Sequence, residues 1–115
     1  MNEPQASAFK HLFNALSEDI HQTARAKGWW NYERNDGECI ALMHSELSEA
    51  LEGLRHGNPP DDKVPRFSSA EAELADTVIR IMDLAYARGW DVAGAIVAKA
   101  EMNKTREHRH GGKVF

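Results

Sequence analysis

Residues 44–53 read HSELSEALEG, and their spacing decides the fold. Leu47, Ala50 and Leu51 recur every three or four positions, in phase with Ile40 and Met43 upstream and Leu54 downstream, which is helical periodicity. At about 100° per residue the six side chains form one narrow stripe, the expected core-facing side of the helix. Glu46, Glu49 and Glu52 recur every third residue through the same segment. Glu46 falls at the border of the stripe, roughly 80° from its centre, with Glu49 about 60° further round and Glu52 nearly opposite, toward solvent. Like charges at this spacing cost a helix a few tenths of a kcal/mol. These acids therefore do nothing for the helix itself.

Working outward, Phe9, Leu12, Phe13, Leu16, Ile20 and Ala24 mark one face of an earlier helix that ends near Gly28. The segment WWNYERNDGE is turn-rich, and Asp36 is a candidate N-cap for the helix that carries HSELSEALEG, which should stop around His56–Gly57. Residues 58–67, NPPDDKVPRF, hold three prolines and no period, a loop. Ser68 followed three positions later by Glu71 makes a capping box for a third helix running to Gly89. Asp91 can cap a fourth, through DVAGAIVAKAEMNKTRE, and residues 107–115 read as a basic tail. No segment sustains β alternation, and no repeat is present. The expectation is an all-α, four-helix bundle-like protomer forming one domain over residues 1–115.

The third helix repeats the acidic device. Leu74, Ala75, Val78, Ile79, Met82, Ala85 and Tyr86 cover close to half of its circumference and should be largely buried, while Glu73, Asp76, Arg80 and Asp83 occupy the remaining wedge. A single acidic i,i+3 pair is ordinarily a solvated face. Two such pairs, on helices a bundle can pack together, would be strongly self-repulsive unless they protonate, meet cations or bind metal. Hard carboxylate oxygens suit Mg²⁺ or Mn²⁺ rather than zinc. In the fourth helix Lys99, Asn103 and Arg106 share a face. Cations near a helix C-terminus are favourable by themselves; beside an acidic cluster they would also suit a polyphosphate.

The whole chain narrows the classes. Its 115 residues are 42% hydrophobic and 28% charged with net charge −4, which provides no electrostatic case for nucleic acid as a partner. Cys39 is the only cysteine, so neither an internal disulfide nor a CxxC site is possible. The N-terminal stretch lacks the apolar core of a signal peptide and no run reaches transmembrane length, which makes a cytoplasmic protein without membrane contact the expectation.

SELSE, twenty-three intervening residues and then ELAD resemble the EExxE…ExxD signature of the MazG-type all-α nucleoside triphosphate pyrophosphohydrolases. The likeness extends from the first helix to Asn103, with one departure: Ser45 stands where that signature has its first acid. The resemblance implies a homodimer or homotetramer with sites near subunit interfaces, and Mg²⁺-dependent cleavage of a nucleoside triphosphate to monophosphate and pyrophosphate in nucleotide-pool house-cleaning. It gives Glu46, Glu49, Glu73 and Asp76 metal-ligand roles, with Glu46 and Glu49 also catalytic by positioning water. Lys99, Asn103 and Arg106 would hold the phosphates. The chain is most similar to the small dCTP pyrophosphatases, whose base-pocket histidine and tryptophan fall on His21 and Trp30 and whose tyrosine is Arg80 here. That likeness points to deoxynucleotides, dCTP and dATP first. Without it, His21 reads as a surface or satisfied histidine, and Trp29 and Trp30 as core or interface fillers. Two further readings stand beside this one: a phosphoribosyl-ATP pyrophosphohydrolase-like enzyme, and a non-catalytic helical oligomerisation module.

Overall fold

The computed structural model describes residues 1–106. It contains four helices in the order expected: α1 Glu3–Ala26, α2 Asp36–Arg55, α3 Ser69–Arg88 and α4 Val92–Asn103. Among the described residues there is no strand, only an isolated bridge between Pro60 in the proline-rich loop and Ser68 at the start of α3. No helix among them is long and apolar enough to cross a membrane.

Local chemistry explains each boundary. α1 begins at an Asn2–Gln5 capping box with proline in its first turn, and α3 at the expected Ser68–Glu71 box. Gly89 closes α3 in the left-handed conformation, φ 68°, which a residue without Cβ adopts at no steric cost. Asp91 caps α4 through Gly94 N. Two expected boundaries move. The cap of α2 is Asn35, whose side chain accepts from Glu38 N, and Asp36 is the first helical residue. Asn and Asp cap about equally well, and the Arg88 guanidinium engages Asp36, Nε to Oδ1 at 2.7 Å. α4 stops at Asn103 rather than continuing through residue 107. Thr105 turns back there, its hydroxyl donating to Met102 O at 2.8 Å. The tail at 107–115 lies outside the described residues.

α3 is the central element, packed along both α2 and α1, while α4 touches mainly α1. The face each helix turns inward is not the one its leucines mark. On α2 the buried residues are Cys39, Glu46 and Ala50, while Ile40, Leu47, Leu51 and Leu54 stay exposed. On α1 they are Ala6, Ser17 and His21, with Leu12 exposed by 67%. On α3 they include Thr77, Met82, Asp83, Leu84 and Ala85, whereas Leu74, Val78, Ile79 and Tyr86 stand out. The expected stripes are met in part: Ala50 on α2 and Met82 and Ala85 on α3 are buried in the seams within the chain, while most of the leucines stay exposed. Small and polar side chains fill those seams because the helices approach closely: a Cβ on Gly53 would lie 2.5 Å from Ser69 Oγ and 3.0 Å from Ser69 Cβ. Gly53→Val should therefore push apart α2 and the start of α3, at a cost of about 1–3 kcal/mol measured by urea unfolding followed by circular dichroism.

Candidate metal centre and adjoining cavity

Glu46 and Glu49 sit one turn apart on α2, and Glu73 lies in the second turn of α3. Packing of the two helices brings one carboxylate oxygen from each of the three within 4.8 Å of the others. The environment is graded: Glu46 is buried, Glu73 half-buried and Glu49 exposed. Glu73 Oε2 is shut off from solvent without a hydrogen-bond partner, an arrangement that a proton or a cation would repair.

The electrostatics follow from that crowding. Hydrogen bonding to Glu46 is the main reason the Glu73 carboxyl is pushed up to about 8, with burial and the charge of Glu49 adding to it. Near neutrality, then, Glu73 keeps its proton and donates it to the group. Burial alone would push Glu46 up as well, but hydrogen bonds from Glu73 and Arg80 outweigh it and hold Glu46 below the usual carboxylate range. The Arg80 guanidinium grips Glu46 Oε1 through Nε and Nη2, each at 3.0 Å.

Asp76 stands outside the set of three. It is exposed one turn beyond Glu73, and its carboxyl is raised first by partial burial and then by the charge of Glu46. Asp76 and Glu46 together line a cavity of about 550 Å³ that opens beside the carboxylates. Its wall also includes Arg80 from α3, Trp29 and Arg34 from the α1–α2 connection, and Lys63 from the proline-rich loop. That loop is held in place by Asn58, whose side chain accepts from Ala70 N at 2.8 Å, and by Ser69 N donating to Pro59 O at 2.7 Å.

His21 and Trp30 converge on Asp83. His21 Nδ1 is 2.7 Å from Asp83 Oδ1, and Trp30 Nε1 is 3.1 Å from both of its oxygens. Neither residue lines the cavity; Trp29 does. His21 is buried against Asp83 rather than in the cavity wall, and Trp29, not Trp30, lines the cavity. Arg80 does line the cavity, but bonded to Glu46. Lys99, Asn103 and Arg106 are exposed on or just beyond α4 and line no part of it. Glu52 points to solvent as expected, meeting Arg55 and His56 at the surface. Ser45 bonds back to Leu42 O at 2.7 Å.

Arg34 was not singled out by the sequence. It lies in an aperiodic turn, and nothing local distinguishes it from the other surface-type cations. Asp83 was visible in the polar wedge of α3, but its two partners on distant parts of the chain were not. No family model, curated protein or solved structure matches the chain.

The raised Glu73 carboxyl has a measurable consequence. In the unfolded chain it releases its proton near the ordinary 4.5, but in the folded protein only near 8. The folded state binds the extra proton between those values, so this contribution is complete below 4.5 and lost as pH rises toward 8. Urea midpoints in EDTA should decline across that window, and Glu73→Gln, which cannot ionise, should flatten the decline. The lowered Glu46 acts in the opposite sense and in a separate window, stabilising above its ordinary value and losing that effect on acidification.

Proposed function

We propose that the protein is a Mg²⁺-dependent nucleoside triphosphate pyrophosphohydrolase, with Mn²⁺ as a substitute ion. The observation that carries this reading is the convergence of Glu46, Glu49 and Glu73 across the α2–α3 seam, beside a cavity with cations in its wall. The donor set fits a hard divalent ion: three carboxylates within reach of one another, one of them with an orphaned oxygen. Asp76 would join from the cavity side. When bound, such an ion supplies neutralisation of the charge that builds on the phosphoryl oxygens during displacement.

The chain's own residues do the remaining work. Glu49, the most exposed of the three, or Glu46 accepts a proton from a water molecule and aims it at the α-phosphorus. A P–O bond forms from that water, the bond to the β-phosphate bridging oxygen breaks, and monophosphate and pyrophosphate leave. Arg80, bonded to Glu46 in the cavity wall, would offer a planar guanidinium suited to bidentate pairing with a phosphate. Lys63 lies in the same wall.

The outward-facing leucines support a homodimer or homotetramer. Ile40, Leu47, Leu51 and Leu54 on α2, with Leu74 and Val78 on α3, are each more than two-fifths exposed in the single chain. Apolar surface of this extent is characteristic of protein–protein contact. Lys99, Asn103 and Arg106 take up their phosphate-binding role only in such an assembly, supplied by α4 of one copy to the cavity of another. Oligomerisation by the same faces would also serve the non-catalytic alternative, so turnover is the deciding measurement.

A pyrophosphate-release panel over the deoxy- and ribonucleoside triphosphates and phosphoribosyl-ATP should show Mg²⁺-dependent turnover, abolished by EDTA and with dCTP and dATP among the substrates. Turnover on phosphoribosyl-ATP alone would favour the alternative enzyme, and none on any substrate would end the catalytic reading. Glu46→Gln and Glu49→Gln should each lower kcat by about 10²-fold or more, with the circular dichroism spectrum unchanged; Asp76→Asn should also reduce turnover. Sedimentation should find a dimer or tetramer, and Leu51→Glu should shift it toward monomer.

A further inference from the structure

Arg34 is only 4% exposed, yet it is barely satisfied. Its Nε is shut off from solvent with no hydrogen-bond partner, and its ion-pair contact is long, Nη1 to Asp83 Oδ2 at 4.0 Å. What surrounds the guanidinium is mostly aromatic: the carbon at its centre lies 5.6 Å from the Trp29 ring centroid and 5.0 Å from that of Trp30. A buried charge is ordinarily paired and hydrogen-bonded throughout. Arg34 and Trp29 share the wall of the cavity.

The position is built. Arg88 Nη2 donates to Arg34 O at 2.6 Å while its Nε holds Asp36. The turn that presents Arg34 is thus tied to the end of α3 and the start of α2. Asp83 is in turn fixed by His21 and Trp30.

The charge balance says what kind of group belongs there. With Asp83 beside it, Arg34 sits in a locally neutral pair, so a phosphate would meet a carboxylate as well as a guanidinium. A neutral planar ring meets no such repulsion, can lie against Trp29 and can take two parallel N–H bonds if it shows two neighbouring acceptors. Guanine offers O6 and N7, and cytosine offers O2 and N3. Adenine places a donor beside each acceptor on its polar edge, and thymine has an N–H between its two carbonyls.

We propose that Arg34 selects the base of the nucleotide, pairing bidentately with cytosine or guanine packed on Trp29 and discriminating against adenine and thymine. This rests on the nucleotide reading of the cavity and sharpens it, because it ranks dCTP above dATP and admits dGTP.

The test separates binding from turnover. Calorimetric titration of the full chain with deoxynucleoside monophosphates in EDTA requires neither metal nor hydrolysis. The dCMP and dGMP arms should bind tighter than the dAMP and dTMP arms by on the order of tenfold to a hundredfold, and their order shows which acceptor pair fits. Arg34→Met should bring that ratio close to one while leaving the affinity for Mn²⁺ alone unchanged. Arg34→Lys retains the charge beside Asp83 and the contact with the tryptophans but not the paired donors, so it should lose the ratio too, even if the methionine variant does not fold. Equal binding of all four bases, a preference for adenine or thymine, or a ratio that survives Arg34→Lys overturns the assignment. Base discrimination without pyrophosphate release from any triphosphate would instead sink the hydrolase reading and leave Arg34 as a base-binding residue.

Discussion

Glu46 is nine-tenths buried where α2 packs along α3, and a carboxylate in such a seam must be compensated if the two helices are to stay together. The compensation comes from both sides. Arg80 supplies a charge-assisted pair of hydrogen bonds from the next helix, and Glu73 supplies a proton held up to about 8. Without Arg80 the central seam of the molecule would carry a carboxylate with no cation beside it. The arrangement is also one that a divalent ion could take over, replacing proton and guanidinium together. The same contact that closes the fold thereby creates the candidate site.

A second consequence of the polar seam is where the large apolar side chains go. Ser17, His21, Glu46, Thr77 and Asp83 occupy buried positions that bundle helices usually give to leucine or valine. Leu12, Leu16, Leu47, Leu51 and Val78 are left outside. The interior of the chain is thus largely small and polar, with Met82 and Leu84 among its few large apolar side chains, and much apolar surface lies outside. An assembly of copies would bury what the single chain leaves bare.

The two buried acids divide the labour. Glu46 belongs to the carboxylate group and Asp83 to the His21–Trp30 tether, and Arg80 and Arg34 stand beside them in turn along one cavity wall. The wall presents carboxylate oxygens and, over the same Trp29 ring that Arg80 also overlies, the under-bonded Arg34 guanidinium.

Helix existence, order and most caps were legible in the sequence because they are local: a 3.6-residue period, Ser68 three before Glu71, Gly89 after the last turn of α3. The acidic pairs were legible for the same reason, since i,i+3 spacing puts two carboxylates on one face without reference to anything distant. Which face turns inward was not. Hydrophobicity marks every side that will eventually be covered, whether by the same chain or by another, so the leucine stripes pointed past the seams that this chain closes with itself. Nor could spacing show that Glu73 completes the group with Glu46 and Glu49 while Asp76 stands apart, that Trp29 rather than Trp30 faces the cavity, or that Arg34 is buried. Each of these depends on the rotation of one helix against another, which is set by close packing at Gly53 and by bonds between residues up to sixty-two positions apart. Tertiary contact alone decides them.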